Sequence, residues 1–147
     1  MQQQHAIRTT TLRDLSASAR DGMFKLRYET FVTRLGWDVQ SVDGQEIDEF
    51  DNDRAHYILA ETPGQDVDAC WRLLPTLGPN MLRDVFPQLL HGQPAPASAD
   101  CWELSRFASA TGRLPSAEDA GNPRIGFGEL SVGLMRESNR FARANGI

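Results

Sequence analysis

The chain is 147 residues long, 40% hydrophobic, and carries a formal net charge of −5, which fits one compact domain that buries its core without disulfides or metals. The acidic balance argues against a general nucleic-acid binder, and no apolar run approaches the ~18 residues that a membrane span needs. The opening residues, Met1-Gln2-Gln3-Gln4-His5, lack the basic and apolar regions of a signal peptide, so a cytoplasmic protein is expected.

In chain order, residues 18–35 read as a helix, with Phe24, Tyr28, Phe31 and Leu35 recurring at spacings of four, three and four. Gly36 is the expected stop, just before Trp37. Residues 38–53 hold seven acids and read as a loop. Residues 56–61 and 67–74 read as two strands joined in a hairpin across Thr62-Pro63-Gly64-Gln65. Residues 80–90 read as a helical segment broken by Pro87, and 93–100 as loop. A third strand is expected over 101–108, of the parallel type and covered on both faces, followed by a Gly/Pro/Ser/Ala-rich loop over 109–125. A final helix over 127–144 sets Phe127, Leu130 or Ser131, Leu134, Ser138 and Phe141 on one face, with Asn145-Gly146 as its stop. This order indicates a layered α/β domain, single over residues 1–147. Ile147 stands where an α/β unit would start another strand, so a truncated form lacking its last strands is expected.

Charge inside apolar segments marks the candidate site. Arg27 lies three residues after Phe24 and four before Phe31, on the same helix face. An arginine stays charged at neutral pH, so it either snorkels outward or meets a carboxylate. In Glu46-Ile47-Asp48-Glu49-Phe50-Asp51, two apolar residues anchor an acidic run that lacks the spacing of a calcium loop. Arg72 interrupts the apolar strand Val67-Asp68-Ala69-Cys70-Trp71-Arg72-Leu73-Leu74. In the strand Trp102-Glu103-Leu104-Ser105-Arg106-Phe107, alternation sets Glu103, Ser105 and Phe107 on one face and Trp102, Leu104 and Arg106 on the other. Each buried charge must be compensated. Cys70 and Cys101 have no ligand spacing, so no metal is expected and both read as small buried hydrophobes. A Cys–His nucleophile stays open at this stage.

These residues carry a family resemblance. Arg27, Phe31, Trp37, Asp48, Asp51, Arg72, Phe86, Glu103 and Arg106, set in FVTRLGW (31–37), CWRLLPT (70–76), GPNMLRDVF (78–86) and WELSRF (102–107), resemble the ordered signature of acyl-homoserine-lactone (autoinducer) synthases. The resemblance runs from about residue 20 to the C-terminus and implies a three-layer α/β/α sandwich like that of GNAT-type acyltransferases. It implies transfer of an acyl chain from acyl carrier protein, or acyl-CoA, to the amine of S-adenosylmethionine. Lactonisation would follow, releasing methylthioadenosine for quorum sensing. No cofactor is implied beyond S-adenosylmethionine as substrate. By the same resemblance, Asp48, Asp51, Arg27, Arg72 and Arg106 form the S-adenosylmethionine-side network, Phe31 and Trp37 enclose the ligand, and Phe86 belongs to the substrate site. Glu103 is the expected base, and Ser105 orients a ligand or water. Residues Arg124-Ile125-Gly126-Phe127-Gly128 stand where such enzymes hold a phosphate. The competing expectations are an acyl-CoA N-acetyltransferase and a truncated, non-catalytic remnant that binds S-adenosylmethionine.

Overall fold

A computed structural model describes residues 5–64, 66–112 and 127–147. Four strands, β1 (Ala6–Thr11), β4 (His56–Glu61), β5 (Val67–Pro75) and β6 (Trp102–Ser109), form an antiparallel sheet in the order β1-β4-β5-β6. Helix α1 (Ala17–Tyr28) covers one face and α3 (Phe127–Asn145) the other, giving the three layers. Between them lie a two-stranded ribbon, β2 (Ser41–Val42) with β3 (Gln45–Glu46), and the short helix α2 (Met81–Asp84) followed by a 3₁₀ turn, Pro87–Leu90. Among the described residues, no helix is long and apolar enough to cross a membrane.

Alternation along the central strands separates the two cores. Tyr57, Leu59, Cys70 and Leu74 face α1 and pack with Met23, Phe24 and Leu26. Ile58, Ala60, Ala69 and Leu73 face α3 and pack with Leu130, Leu134 and Phe141. Both faces are covered, which is why these strands read as nearly continuous apolar runs although the sheet is antiparallel. The expectation of a parallel-type strand over 101–108 is therefore corrected: β6 runs antiparallel to β5. A run buried on both faces reads alike in either sense, so the sequence carried no direction.

Strand β1 went unread in the sequence. Its only large apolar residue is Ile7, and its place depends on partners distant in the chain: it pairs with β4, and Thr9 donates to Glu137 on α3 at 2.7 Å. At Gly133 the helix passes close to β1, where an added Cβ would meet the tip of the Ile7 side chain. That polar contact also explains why the buried face of α3 contains Glu137, where Ser138 was expected.

Both expected helix stops are present. Ser16 caps α1 by accepting from the Ala19 N–H at 3.2 Å. The helix is α only to Tyr28 and then widens into a π turn, Glu29–Arg34, before Gly36 at φ +67°. At the other end of the chain, Gly146 at φ +69° lets the Ile147 N–H reach the Ala142 carbonyl at 2.9 Å, the Schellman closure of α3.

Candidate active site

The acidic loop is held down by its apolar residues, as its pattern indicated. Phe50 is buried in the α1-side core and Ile47 packs against it. Asp43 and Gly44, at φ +51° and +75°, turn the β2–β3 ribbon and deliver Glu46 to the interior. Asp48 and Asp51 then brace one another, with the Asp48 N–H donating to the Asp51 carboxylate at 2.9 Å and the Asp51 N–H to the Asp48 carbonyl at 3.1 Å.

Arg27 does not snorkel; it meets carboxylates. It donates through Nε to Glu46 at 2.6 Å and in a two-pronged contact to Asp51 at 2.7 and 2.9 Å. Arg72 grips Asp48 with both Nη atoms at 2.5 and 3.0 Å, reaches Asp51 at 3.0 Å, and donates through Nε to Ser105 at 3.1 Å. Arg106 closes the set on Glu46 at 3.2 Å and Asp48 at 3.1 Å. Three guanidiniums and three carboxylates thus neutralise one another, and Tyr57 adds a hydroxyl donated to Asp51 at 2.8 Å.

Burial by itself would lower the Arg27 pKa, but the hydrogen bond and charge of Asp51, then of Glu46, outweigh it and hold the guanidinium above its ordinary range. The same opposition decides Asp51. Burial would raise its pKa, yet the Arg27 hydrogen bond and the charges of Arg27 and Arg72 hold the carboxyl well below its usual value. Arg72, desolvated but bonded to Asp48, is likewise raised. Arg27, Asp51 and Arg72 are therefore ionised at neutral pH.

Arg106 reaches this cluster because β6 is not regular. It sits at φ +56°, in a bulge where the β5–β6 register shifts. The extra residue exchanges the faces of Arg106 and Phe107 relative to simple alternation. Glu103, Ser105 and Arg106 face the α1 side, while Trp102 and Phe107 pack on the α3 side, Trp102 against Phe141 and Phe107 against Trp71. The expected pairing of Phe107 with Glu103 and of Arg106 with Trp102 is corrected accordingly.

Beside the network lies a cavity of about 480 Å³. Phe31 and Trp37 stack at one side, ring centroids 5.0 Å apart and 9° from parallel. The π turn sets this pair, since the Trp37 N–H closes on the Phe31 carbonyl at 2.8 Å. The Arg106 guanidinium lies over Phe31 at 5.5 Å. Glu103, Ser105 and Arg106 form the polar wall, and Phe86, Leu89 and Leu104 part of the apolar one. The Glu103 carboxylate accepts from the Met81 and Leu82 N–H groups at 3.1 and 2.7 Å, so the first turn of α2 fixes its direction.

Six of the ten candidate residues thus line one cavity: Phe31, Trp37, Phe86, Glu103, Ser105 and Arg106. Arg27, Asp48, Asp51 and Arg72 do not; they stand behind its wall and reach it through Arg106 and Ser105. Three residues missed in the sequence complete the site. Glu46 and Tyr57 are network members, and Met81 lines the cavity with its sulfur 3.1 Å from Arg72 and 3.6 Å from Arg106. A count of charge calls for a third carboxylate beside three arginines, but it does not choose between Glu46 and Glu49. Cys70 is buried, and burial pushes its thiol up to about 12, which leaves no thiolate for nucleophilic attack. Cys101 is half-buried, not fully as expected. Among the described residues, no cluster of His, Cys, Asp or Glu could hold a metal ion. The proposed phosphate turn at 124–128 falls largely outside the described residues, which resume at 127.

The family model for autoinducer synthases matches residues 10–143. The chain belongs to the autoinducer synthase family. It is 42% identical over 127 residues to an acyl-homoserine-lactone synthase of Pseudomonas aeruginosa, a match covering 85% of this chain and 59% of that one. It is 48% identical over 114 residues to one of Ralstonia solanacearum, covering 76% and 52%. Among solved structures, the AHL synthase LasI superposes with a TM-score of 0.85 at 37% identity, covering 99% of this chain and 69% of that one. The CoA-dependent acyl-homoserine lactone synthase BjaI, solved with SAM and isopentyl-CoA, superposes with a TM-score of 0.80 at 28% identity, covering 98% and 64%. Against these curated autoinducer synthases, the chain spans about half to three fifths of their length.

Proposed function

We propose that the protein acylates the amine of S-adenosylmethionine and that the product closes to an acyl-homoserine lactone, with Glu103 as the base. The observation that carries this reading is one cavity whose wall combines a fixed carboxylate, a guanidinium, a stacked aromatic pair and an apolar side. The substrate carries an ammonium, a carboxylate and a sulfonium, and so requires both signs of charge beside an aromatic face. An acyl chain requires the apolar side. The names of relatives in the family support the same chemistry, and the BjaI complex with SAM and isopentyl-CoA supports the substrate classes.

An α-amino group has a reference pKa near ~8 and must lose a proton before it attacks a thioester. Glu103 takes that proton, directly or through one water. The amine nitrogen then bonds to the thioester carbon and the carbon–sulfur bond breaks; the nitrogen's second proton leaves with the thiol, and the first passes from Glu103 to solvent. In the second step a carboxylate oxygen of the methionyl group bonds to its own γ-carbon, whose bond to the sulfonium sulfur breaks to release methylthioadenosine. Arg106 and Ser105 orient the substrate at the cavity wall. Arg27, Asp48, Asp51 and Arg72 act from behind by fixing Arg106 and Ser105. The donor is acyl carrier protein or acyl-CoA, whose shared thioester chemistry this cavity does not distinguish.

Mass spectrometry of the protein mixed with S-adenosylmethionine and each acyl donor tests the reading. Acyl-homoserine lactone and methylthioadenosine are expected in equal amounts. Acylation of some other amine without methylthioadenosine would favour an N-acetyltransferase instead. Binding of S-adenosylmethionine with no product would leave only a binding module.

A further inference from the structure

The two backbone N–H groups that fix Glu103 belong to Met81 and Leu82, so anything that fixes the segment before them fixes the carboxylate. That segment, residues 75–80, is tied from two sides. From within, buried Asn80 accepts from the Arg83 N–H at 3.1 Å and donates to the Gly78 carbonyl at 3.0 Å and the Thr76 carbonyl at 3.4 Å. From without, Arg54 wraps it. Its Nη2 donates to the Leu77 carbonyl at 2.6 Å and the Pro75 carbonyl at 3.4 Å, and its Nη1 to the Pro79 carbonyl at 3.3 Å.

Gly78 makes this wrap possible. It sits at φ +112°, and a Cβ there would fall 2.5 Å from the Arg54 Nη2. The turn therefore has room for a guanidinium and for nothing larger on its own backbone. Arg54 is itself anchored, its N–H donating to the Asn52 side chain at 3.0 Å, three residues after Asp51. One short stretch thus carries a member of the ionic network at Asp51 and the clamp on the turn at Arg54.

The geometry points to Arg54 as a positioning residue that locks the 75–80 turn and thereby holds the Met81 and Leu82 N–H groups on Glu103. This rests on the reading of Glu103 as base only for its consequence on rate; the positioning stands on the contacts. A planar fork with five donors suits three converging carbonyls, which a lysine cannot satisfy with the same geometry.

Amide hydrogen exchange of the full chain at Met81 and Leu82, read beside turnover and S-adenosylmethionine affinity, tests it. Arg54→Ala is expected to speed exchange at those two amides by about tenfold or more while the amides of β4 and β5 keep their protection. Turnover is expected to fall by roughly 10- to 100-fold with affinity for S-adenosylmethionine kept, as for a reacting group misplaced by a fraction of an ångström. Arg54→Lys keeps charge and stem, is expected to be intermediate in both readouts, and serves if the alanine variant does not fold. Unchanged exchange at both amides in a folded variant overturns the inference, whatever happens to turnover. Faster exchange with undiminished turnover upholds the clamp and removes Glu103 from the base role instead.

Discussion

Glu103→Gln is expected to lower acylation by roughly 10²- to 10⁴-fold, the range a positioned general base contributes, while S-adenosylmethionine still binds. Glutamine keeps the shape of the side chain and one acceptor oxygen for the first turn of α2. Its NH₂ group would face an N–H donor in place of the second carboxylate oxygen, so the fold loses one hydrogen bond and about 1 kcal/mol. That cost is small beside the loss in rate, which separates chemistry from stability. Arg106, Ser105 and the Phe31–Trp37 stack are untouched, so the binding wall persists. Steady-state turnover and equilibrium binding on the same preparation check both halves. Unchanged turnover would remove Glu103 from the base role, and loss of binding would recast it as a ligand contact.

Arg27→Met is expected to cost about 3–5 kcal/mol of stability, because it removes the shortest ion pairs of the buried Glu46 and Asp51 carboxylates and leaves three acids to two arginines, Arg72 and Arg106. That is a large part of the ~5–15 kcal/mol that holds a domain of this size together. The pH dependence gives the loss a signature. In the native protein the Asp51 carboxyl is held below its ordinary value, so its contribution is present above the ordinary carboxylate pKa. That contribution fades as pH falls through the lower folded value. Without Arg27 the pull of Arg72 and the Asp48 N–H remains, but burial offsets more of it and the carboxyl's pKa rises from its native value. Acidification therefore weakens the variant less than the native protein. The deficit measured by urea unfolding should be largest near neutrality and shrink as pH falls toward about 4. A variant as stable as the native protein at neutral pH would show that the ionic cluster is not what orders the α1–loop–β5 junction.

Much of this site was legible because charge is costly where water is absent. Arg27, Arg72 and Arg106 stood out inside apolar helix and strand patterns, and the structure finds each paired with acids from the run 46–51. Phe50 and Ile47 gave away which residues of that run turn inward. What stayed hidden depended on partners far away in the chain. Glu46 carries the same local signal as Glu49, and only the three-dimensional count of charges separates them. The bulge at Arg106 leaves no mark in WELSRF, because a positive φ at a non-glycine residue is imposed by pairing with β5. The π turn is silent for a related reason: the four-three-four spacing of Phe24, Tyr28, Phe31 and Leu35 runs through it unchanged, while the backbone closes differently. Arg54 reads as an ordinary polar residue of a loop, and its carbonyl partners lie more than twenty residues on.

The bulge has a functional consequence. It turns Arg106 toward Glu103 and Ser105, and it leaves Leu104 and Phe107 on the other side of the strand, yet all five line the same cavity. A single strand thus supplies the polar residues proposed to hold S-adenosylmethionine and apolar residues suited to an acyl chain. Regular alternation would have set Arg106 against the α3 core.

The structure of the protein with S-adenosylmethionine bound tests this arrangement most directly. The amine nitrogen is expected within about 2.6–3.2 Å of a Glu103 oxygen or one water away from it, with the ligand against the Phe31–Trp37 stack and its carboxylate toward Arg106. An amine turned away from Glu103, or a ligand seated outside the cavity beside β6, would contradict it.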